Sequence, residues 1–571
     1  MTASSDDVAE VPARTIEAIA PDAGLFADLD PLAMGRVLAQ VSAGLLRHPL
    51  GAARAGGRAA TGMLTSAALA ASRALGQPVP ARLAPAKGDN RFSDAAWEHN
   101  ALYFALRQAY LQWNRLAEDL LDAAGLDERQ RQKAAFSTQL VVDALAPTNF
   151  LATNPAALKQ AFDTGGLSLA RGLRNFLDDV VNNDGRPRQV DRSPFELGDN
   201  LAATPGKVVY RNELMELIQY APQTETVHEV PIVCSPPWIN KYYIMDLAPG
   251  RSFIEWMVQH GHTVFTISYR NPDASMRDVN MDDYLVDGTR AAVDVVRDIT
   301  GRDQVNMVGL CLGGTLAVAL LAYLDAVGDD LVHSLTLLNT LVDFSEPGPL
   351  GCFTDEATIA RLEQKMNRRG YLEETQLRGT FDALRANDLI FNYLVNNWLM
   401  GKQPPAFDIL AWNADSTRMP AKMHSYYLRS CYLHNQLARG EMELRGVRLN
   451  LETVRQDVFI VGAQNDHIAP WRSSYRTTQL LKSNVEYVLS SAGHIAGIVN
   501  PPSSKARYRA SDANPPSPDE WLKTTTEYQR SWWEHWAEWA AERGGDRVDP
   551  PSMGSDRYPV LGDGPGEYVR G

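Results

Sequence analysis

Cys311 stands between two glycines in the run Gly309, Leu310, Cys311, Leu312, Gly313, with the stretch VNMV before it and the helix-forming stretch LAVALLAYL soon after. A strand, a tight turn and a helix in that order hold the central residue out as a nucleophile, in a strained conformation at the head of the helix. The flanking glycines have a steric purpose. Side chains at Gly309 and Gly313 would keep the helix from packing closely beneath the strand. A thiol here meets the free amides and positive dipole end of the helix, which favour a thiolate and a developing oxyanion. Leu312 supplies one such amide.

A nucleophilic cysteine needs a base, and the base needs an orienting acid. In VFIVGAQNDHIAP, Asp466 falls just past a predicted strand, and in VEYVLSSAGHIAGIVNPP, His494 follows the next one. The chain order Cys311, Asp466, His494 is the nucleophile, acid and base order of the α/β-hydrolase fold. Singly, an Asp after a strand is commonly a helix cap and a lone His a structural residue. Their order behind the elbow makes catalysis the expected role. His467 precedes the last strand, so it is expected at the substrate rather than as the base. A second oxyanion amide belongs in the loop SPPWINKYYIMD after the predicted strand PIVC, where prolines stiffen the turn and Ile239 is the candidate donor. Asn240, Lys241 and Tyr243 stand ready either to touch substrate or to fix the loop.

Two other readings of the cysteine stretch compete. Residues 305–324 carry no charge and just reach bilayer length, but the Gly313–Gly314 pair, the β-branched start and the lack of a basic flank argue against a membrane span. A buried structural cysteine is the second alternative, decided only by partners elsewhere. The 571 residues, 45% hydrophobic and 22% charged, describe a soluble protein with a sizeable core in two or three domains. A formal charge of -14 speaks against wholesale nucleic-acid binding. Cys234, Cys311, Cys352 and Cys431 show no metal-binding spacing, which implies a reducing interior and no metal site. The opening MTASSDDVAEV lacks the features of a secretory signal, so a cytoplasmic location is expected.

These residues need elements to carry them. Residues 1–90 read as an Ala-rich helical leader and linker, and 91–206 as a helical domain opening with Ser93 or Asp94 as an N-cap. Strand and helix alternate over 207–545, the pattern of a mostly parallel sheet, with a cap insertion at about 341–445 and a C-terminal tail at 546–571.

The motifs GLCLGGT, PPWINKYYIMDL, SYRNP, NDHIAP and GHIAGIVNPP, with RFSDAAW, LRQAYL and NFLATNP in the helical domain, resemble those of the polyhydroxyalkanoate synthases. FDILAWNADSTRMPAKMHSYYLRSCYL and SWWEHWAEWAAERGG resemble them too. The resemblance covers roughly Arg91 to the C-terminus. It implies attack of Cys311 on a 3-hydroxyacyl-CoA, with transfer of the growing chain to the hydroxyl of another acyl unit. His494 is then the base and Asp466 its orienting acid, or also an activator of the substrate hydroxyl. Thr315 and Ala496 resemble the class I pattern of short-chain monomers such as 3-hydroxybutyryl-CoA; Trp238 departs from it. The resemblance further implies a homodimer on the surface of a polymer granule and no cofactor, coenzyme A arriving with the substrate. The rival chemistry is a Cys-dependent thioesterase or polyester depolymerase using the same three residues with water as acceptor. A non-enzymatic granule scaffold would instead predict a degraded triad.

Overall fold

The structure, a computed structural model, describes residues 31–77 and 79–571; the acidic N-terminus and the start of the leader, residues 1–30, lie outside the described residues. The chain forms two compact units, one taking in the described residues up to Asp191 together with Arg378–Pro405, the other Arg192–Leu377 with Ala406–Gly571. This division differs from the expected one. The middle of the insertion joins the first unit, and the tail from residue 546 joins the second.

In the first unit, α1 (Pro31–Arg47) and α2 (Pro49–Ala74) carry the Ala-rich leader. Ala55, Ala59, Gly62 and Ser66 line the buried face of α2, and these small residues let it lie close to α3 (Ala101–Ala123). The N-cap of α3 is Asn100, which accepts from the amides of Leu102 and Tyr103; Asp94 caps only the short turn before it, accepting from Ala96. An Asp127–Gln130 capping box opens α4 (Glu128–Ala144), followed by α5 (Pro155–Asp163) and α6 (Leu167–Asn182). Residues from the insertion complete this unit. Ile390 and Phe391 pack with Leu140, and the Trp398 indole donates to Asp179 at 2.8 Å.

The second unit is built on an 11-stranded sheet. In chain order the strands are β1 (Gly206–Arg211), β2 (Met215–Tyr220), β3 (Ile232–Ser235), β4 (Val264–Tyr269), β5 (Val305–Leu310), β6 (Val332–Leu338), β7 (Asp457–Ala463), β8 (Val485–Ser490), β9 (Tyr508–Ala510), β10 (Thr526–Tyr528) and β11 (Gly562–Asp563). They lie in the order β10-β9-β8-β7-β6-β5-β3-β4-β2-β1-β11. From β8 to β4 every neighbouring pair is parallel, and the outer strands on both sides are antiparallel. The parallel strands are covered on both faces, which is why β5 and β3 are buried along their whole length and read as apolar runs without alternation. The tail forms β11 beside β1, and the amides of Glu567 and Tyr568 each donate to the buried Glu216 carboxylate at 2.9 Å. A parallel sheet directs its strand ends to one side, so the loops after β3, β5, β7 and β8 emerge together. No helix among the described residues is long and apolar enough to cross a membrane; residues 305–324 fold as β5 and the start of α7 (Leu312–Val327).

Candidate active site

Cys311 links β5 to α7 with φ 51° and ψ -117°, a left-handed backbone that a side chain rarely adopts. Its amide donates to the Leu338 carbonyl at the end of β6, and its carbonyl accepts from Gly314 and Thr315, which seats the turn on the sheet and starts the helix. The glycines are needed for close approach. A Cβ at Gly309 would stand 2.5 Å from the Gly314 Cα, and one at Gly313 would stand 2.0 Å from the Ser235 carbonyl oxygen. Leu312 is the first residue of α7, so its amide has no carbonyl behind it within the helix.

Asp466 follows β7 and His494 follows β8. Asp466 Oδ2 lies 2.6 Å from His494 Nδ1, while Oδ1 accepts the amides of Ile468 and Ala469, both at 2.8 Å. The two amides fix the carboxylate and the carboxylate fixes the ring. With Nδ1 turned to Asp466, the other ring nitrogen is left for Cys311, whose side chain lies close enough to act on the ring. Burial opposes a charge on His494, but the Asp466 carboxylate, its hydrogen bond to the ring and Cys311 outweigh it, and the ring is pushed up to about 10. Such a ring holds a proton readily beside a thiol, the electrostatic setting of a cysteine nucleophile. Asn339, wholly buried after β6, donates from its side chain to the His494 carbonyl and from its backbone to Val461. This anchor escaped the sequence reading, since a lone Asn after a strand carries no distinguishing pattern.

The loop after β3 runs against the elbow, with Ser235 Oγ donating to the Gly313 carbonyl at 3.1 Å. Ile239 is half-buried and packs on the same core cluster as Cys311. The other residues expected at the substrate differ in position. Tyr243 is 1% exposed and its hydroxyl donates to Asp415 at 2.9 Å, so it fixes the loop. Asn240 adopts φ 65° and donates its amide to the Thr417 hydroxyl. Lys241 is buried, bonded to the Val569 carbonyl and to Asp415. His467 is half-buried beside the acid. Trp238 packs against the rings of Tyr284 and Tyr427, with centroids 5.5 and 6.2 Å away.

A family model for the alpha/beta hydrolase fold matches residues 242–501, in agreement with the expected fold, and one described as the N-terminus of poly-beta-hydroxybutyrate polymerase (PhaC) matches residues 88–257. The poly(3-hydroxyalkanoate) polymerase of Methylorubrum extorquens is 42% identical, with 97% of this chain and 92% of that protein covered. The polymerase subunit PhaC of Cupriavidus necator is 41% identical over 84% of this chain and 83% of that protein. Poly(3-hydroxyalkanoate) polymerase 2 of Ectopseudomonas oleovorans is 43% identical over 85% and 87%. Among solved structures, the monoacylglycerol lipase of Paleococcus ferrophilus matches at 12% identity and a TM-score of 0.33, over 58% of this chain and 99% of that one. With relatives this similar over most of both chains, the protein belongs to the poly(3-hydroxyalkanoate) polymerase family.

Proposed function

We propose that this protein polymerises 3-hydroxyacyl-CoA into polyester, releasing coenzyme A through an acyl thioester on Cys311. The observation that carries the reading is the buried Asp466–His494 pair together with Cys311 at the strained turn that heads α7. The thiolate adds to the thioester carbonyl, and the oxyanion is received by the amides of Leu312 and Ile239. Coenzyme A leaves with a proton from His494. The neutral ring then takes the proton of a second acyl unit's hydroxyl, whose oxygen attacks the Cys311 thioester, forming an ester and freeing the thiolate. Because the enzyme-bound intermediate is itself a thioester, it stays activated for ester formation. Asp466 keeps the ring in the tautomer and orientation this relay needs.

Monomers of the 3-hydroxybutyryl size are the proposed substrates, and Asn240 and His467 are the polar side chains nearest in sequence to Ile239 and Asp466. The chemistry calls for no metal or organic cofactor. The enzyme works as a homodimer on cytoplasmic polymer granules; support for granule contact is the exposed apolar stripe of Leu169, Leu173, Leu177 and Val181 on α6. The test is rapid quenching with 3-hydroxybutyryl-CoA and peptide mass analysis. Acyl mass on the Cys311 peptide, absent in Cys311→Ala, is expected; acyl mass on another residue overturns the assignment.

A further inference from the structure

Residues 412–417 of the insertion close on the loop that leaves β3. The Trp412 indole donates to the Lys241 carbonyl at 2.8 Å, and Asp415 holds Lys241 Nζ at 3.0 Å and the Tyr243 hydroxyl at 2.9 Å. Thr417, buried in the unit, brackets Ile239: its hydroxyl accepts the Asn240 amide at 2.8 Å and donates to the Trp238 carbonyl at 3.4 Å. In a trans peptide the carbonyl and the next N–H lie in one plane and point in opposite directions. Turning the Trp238 carbonyl to Thr417 therefore directs the Ile239 N–H the other way, and the bond to Asn240 holds the left-handed backbone that follows.

We propose that Thr417 is a positioning residue for acyl transfer: its hydroxyl sets the Trp238–Ile239 peptide and so aims the Ile239 amide at the oxyanion. This rests on the reading of Cys311 as the acylated nucleophile and of Ile239 as a donor. Thr417 touches neither substrate nor the reacting atoms; it acts through the peptide it holds, and an amide rotated away from the oxyanion is lost to the transition state without loss of substrate binding.

The test compares Thr417→Val, which removes the hydroxyl at nearly constant volume, with Thr417→Ser, which keeps it. In Thr417→Val, kcat for coenzyme A release from 3-hydroxybutyryl-CoA is expected to fall on the order of 10- to 100-fold with KM changed less than about threefold, and Thr417→Ser to stay within about threefold of wild type. Alkylation of Cys311 by iodoacetamide forms no oxyanion and is expected to keep its wild-type rate in both variants. A Thr417→Val enzyme within about twofold of the wild-type kcat overturns the proposal. So does a matching loss in alkylation, which would trace the defect to the Cys311–His494 pair. Should Thr417→Val not fold, Thr417→Ala removes the same hydroxyl and is judged by the same outcomes. Equal coenzyme A release by wild type and Cys311→Ala would instead overturn the reading of the reaction, a result distinct from any shown by the Thr417 variants alone.

Discussion

Asp466 Oδ2 stands 2.6 Å from His494 Nδ1, the carboxylate fully shielded and the ring 8% exposed, while the other carboxylate oxygen is taken by two backbone amides. The pair thus separates two duties within one side chain. Oδ1 shapes the loop and Oδ2 acts on the ring.

Asp466→Asn tests that separation. An amide oxygen can still accept from Ile468 and Ala469, so the loop survives, but the charge beside His494 is gone. The kcat for coenzyme A release is expected to fall on the order of 10³- to 10⁴-fold in a protein that still folds, its melting temperature lowered by the lost attraction between the carboxylate and the His494 proton. Full activity would leave Asp466 with the loop-shaping duty alone.

The raised affinity of His494 for a proton links stability to pH. Its ring titrates near 6.5 when unperturbed and is pushed up to about 10 in the fold, against its burial, by Asp466 and Cys311. The folded state holds the proton more tightly, so the contribution is complete below about 6.5 and is lost as pH rises through about 10. The melting-temperature advantage of wild type over His494→Gln should therefore shrink across that window. An advantage that grows with pH would mean the ring is neutral in the fold.

Gly313→Ala tests the elbow. The added carbon meets the Ser235 carbonyl at 2.0 Å and the Pro236 carbonyl at 2.5 Å, backbone atoms that a side-chain rotation cannot clear. Moving α7 or the β3 loop to admit it should destabilise the unit by roughly 1–3 kcal/mol or more, read from urea unfolding. Wild-type stability in this variant would mean the helix can slide without cost.

The elements nearest the chemistry are the ones legible in the chain. Gly309 and Gly313 flank Cys311 at a spacing set by local sterics, and Asp466 and His494 follow apolar runs that can be read as buried strands. What holds these groups in place is not local. Thr417 lies 177 residues from the Asn240 amide it binds, and Asn339 lies 155 from the His494 carbonyl. Side chains bonded to distant backbone leave no periodic trace. The same applies to Trp398, which bonds Asp179 across 219 residues and explains why part of the insertion belongs with the N-terminal helices. Tyr243 shows the converse: an aromatic hydroxyl in a site loop looks available for substrate until its carboxylate partner, Asp415, is seen.

The reaction itself is tested most directly by what becomes of the acyl group. Purified protein is incubated with 3-hydroxybutyryl-CoA, free coenzyme A is followed, and the acyl product is recovered as insoluble polyester or as soluble acid. Transfer from Cys311 to a hydroxyl predicts polyester, with coenzyme A released in proportion to the monomer incorporated. Stoichiometric free 3-hydroxybutyrate without polymer would contradict it and make water the acceptor.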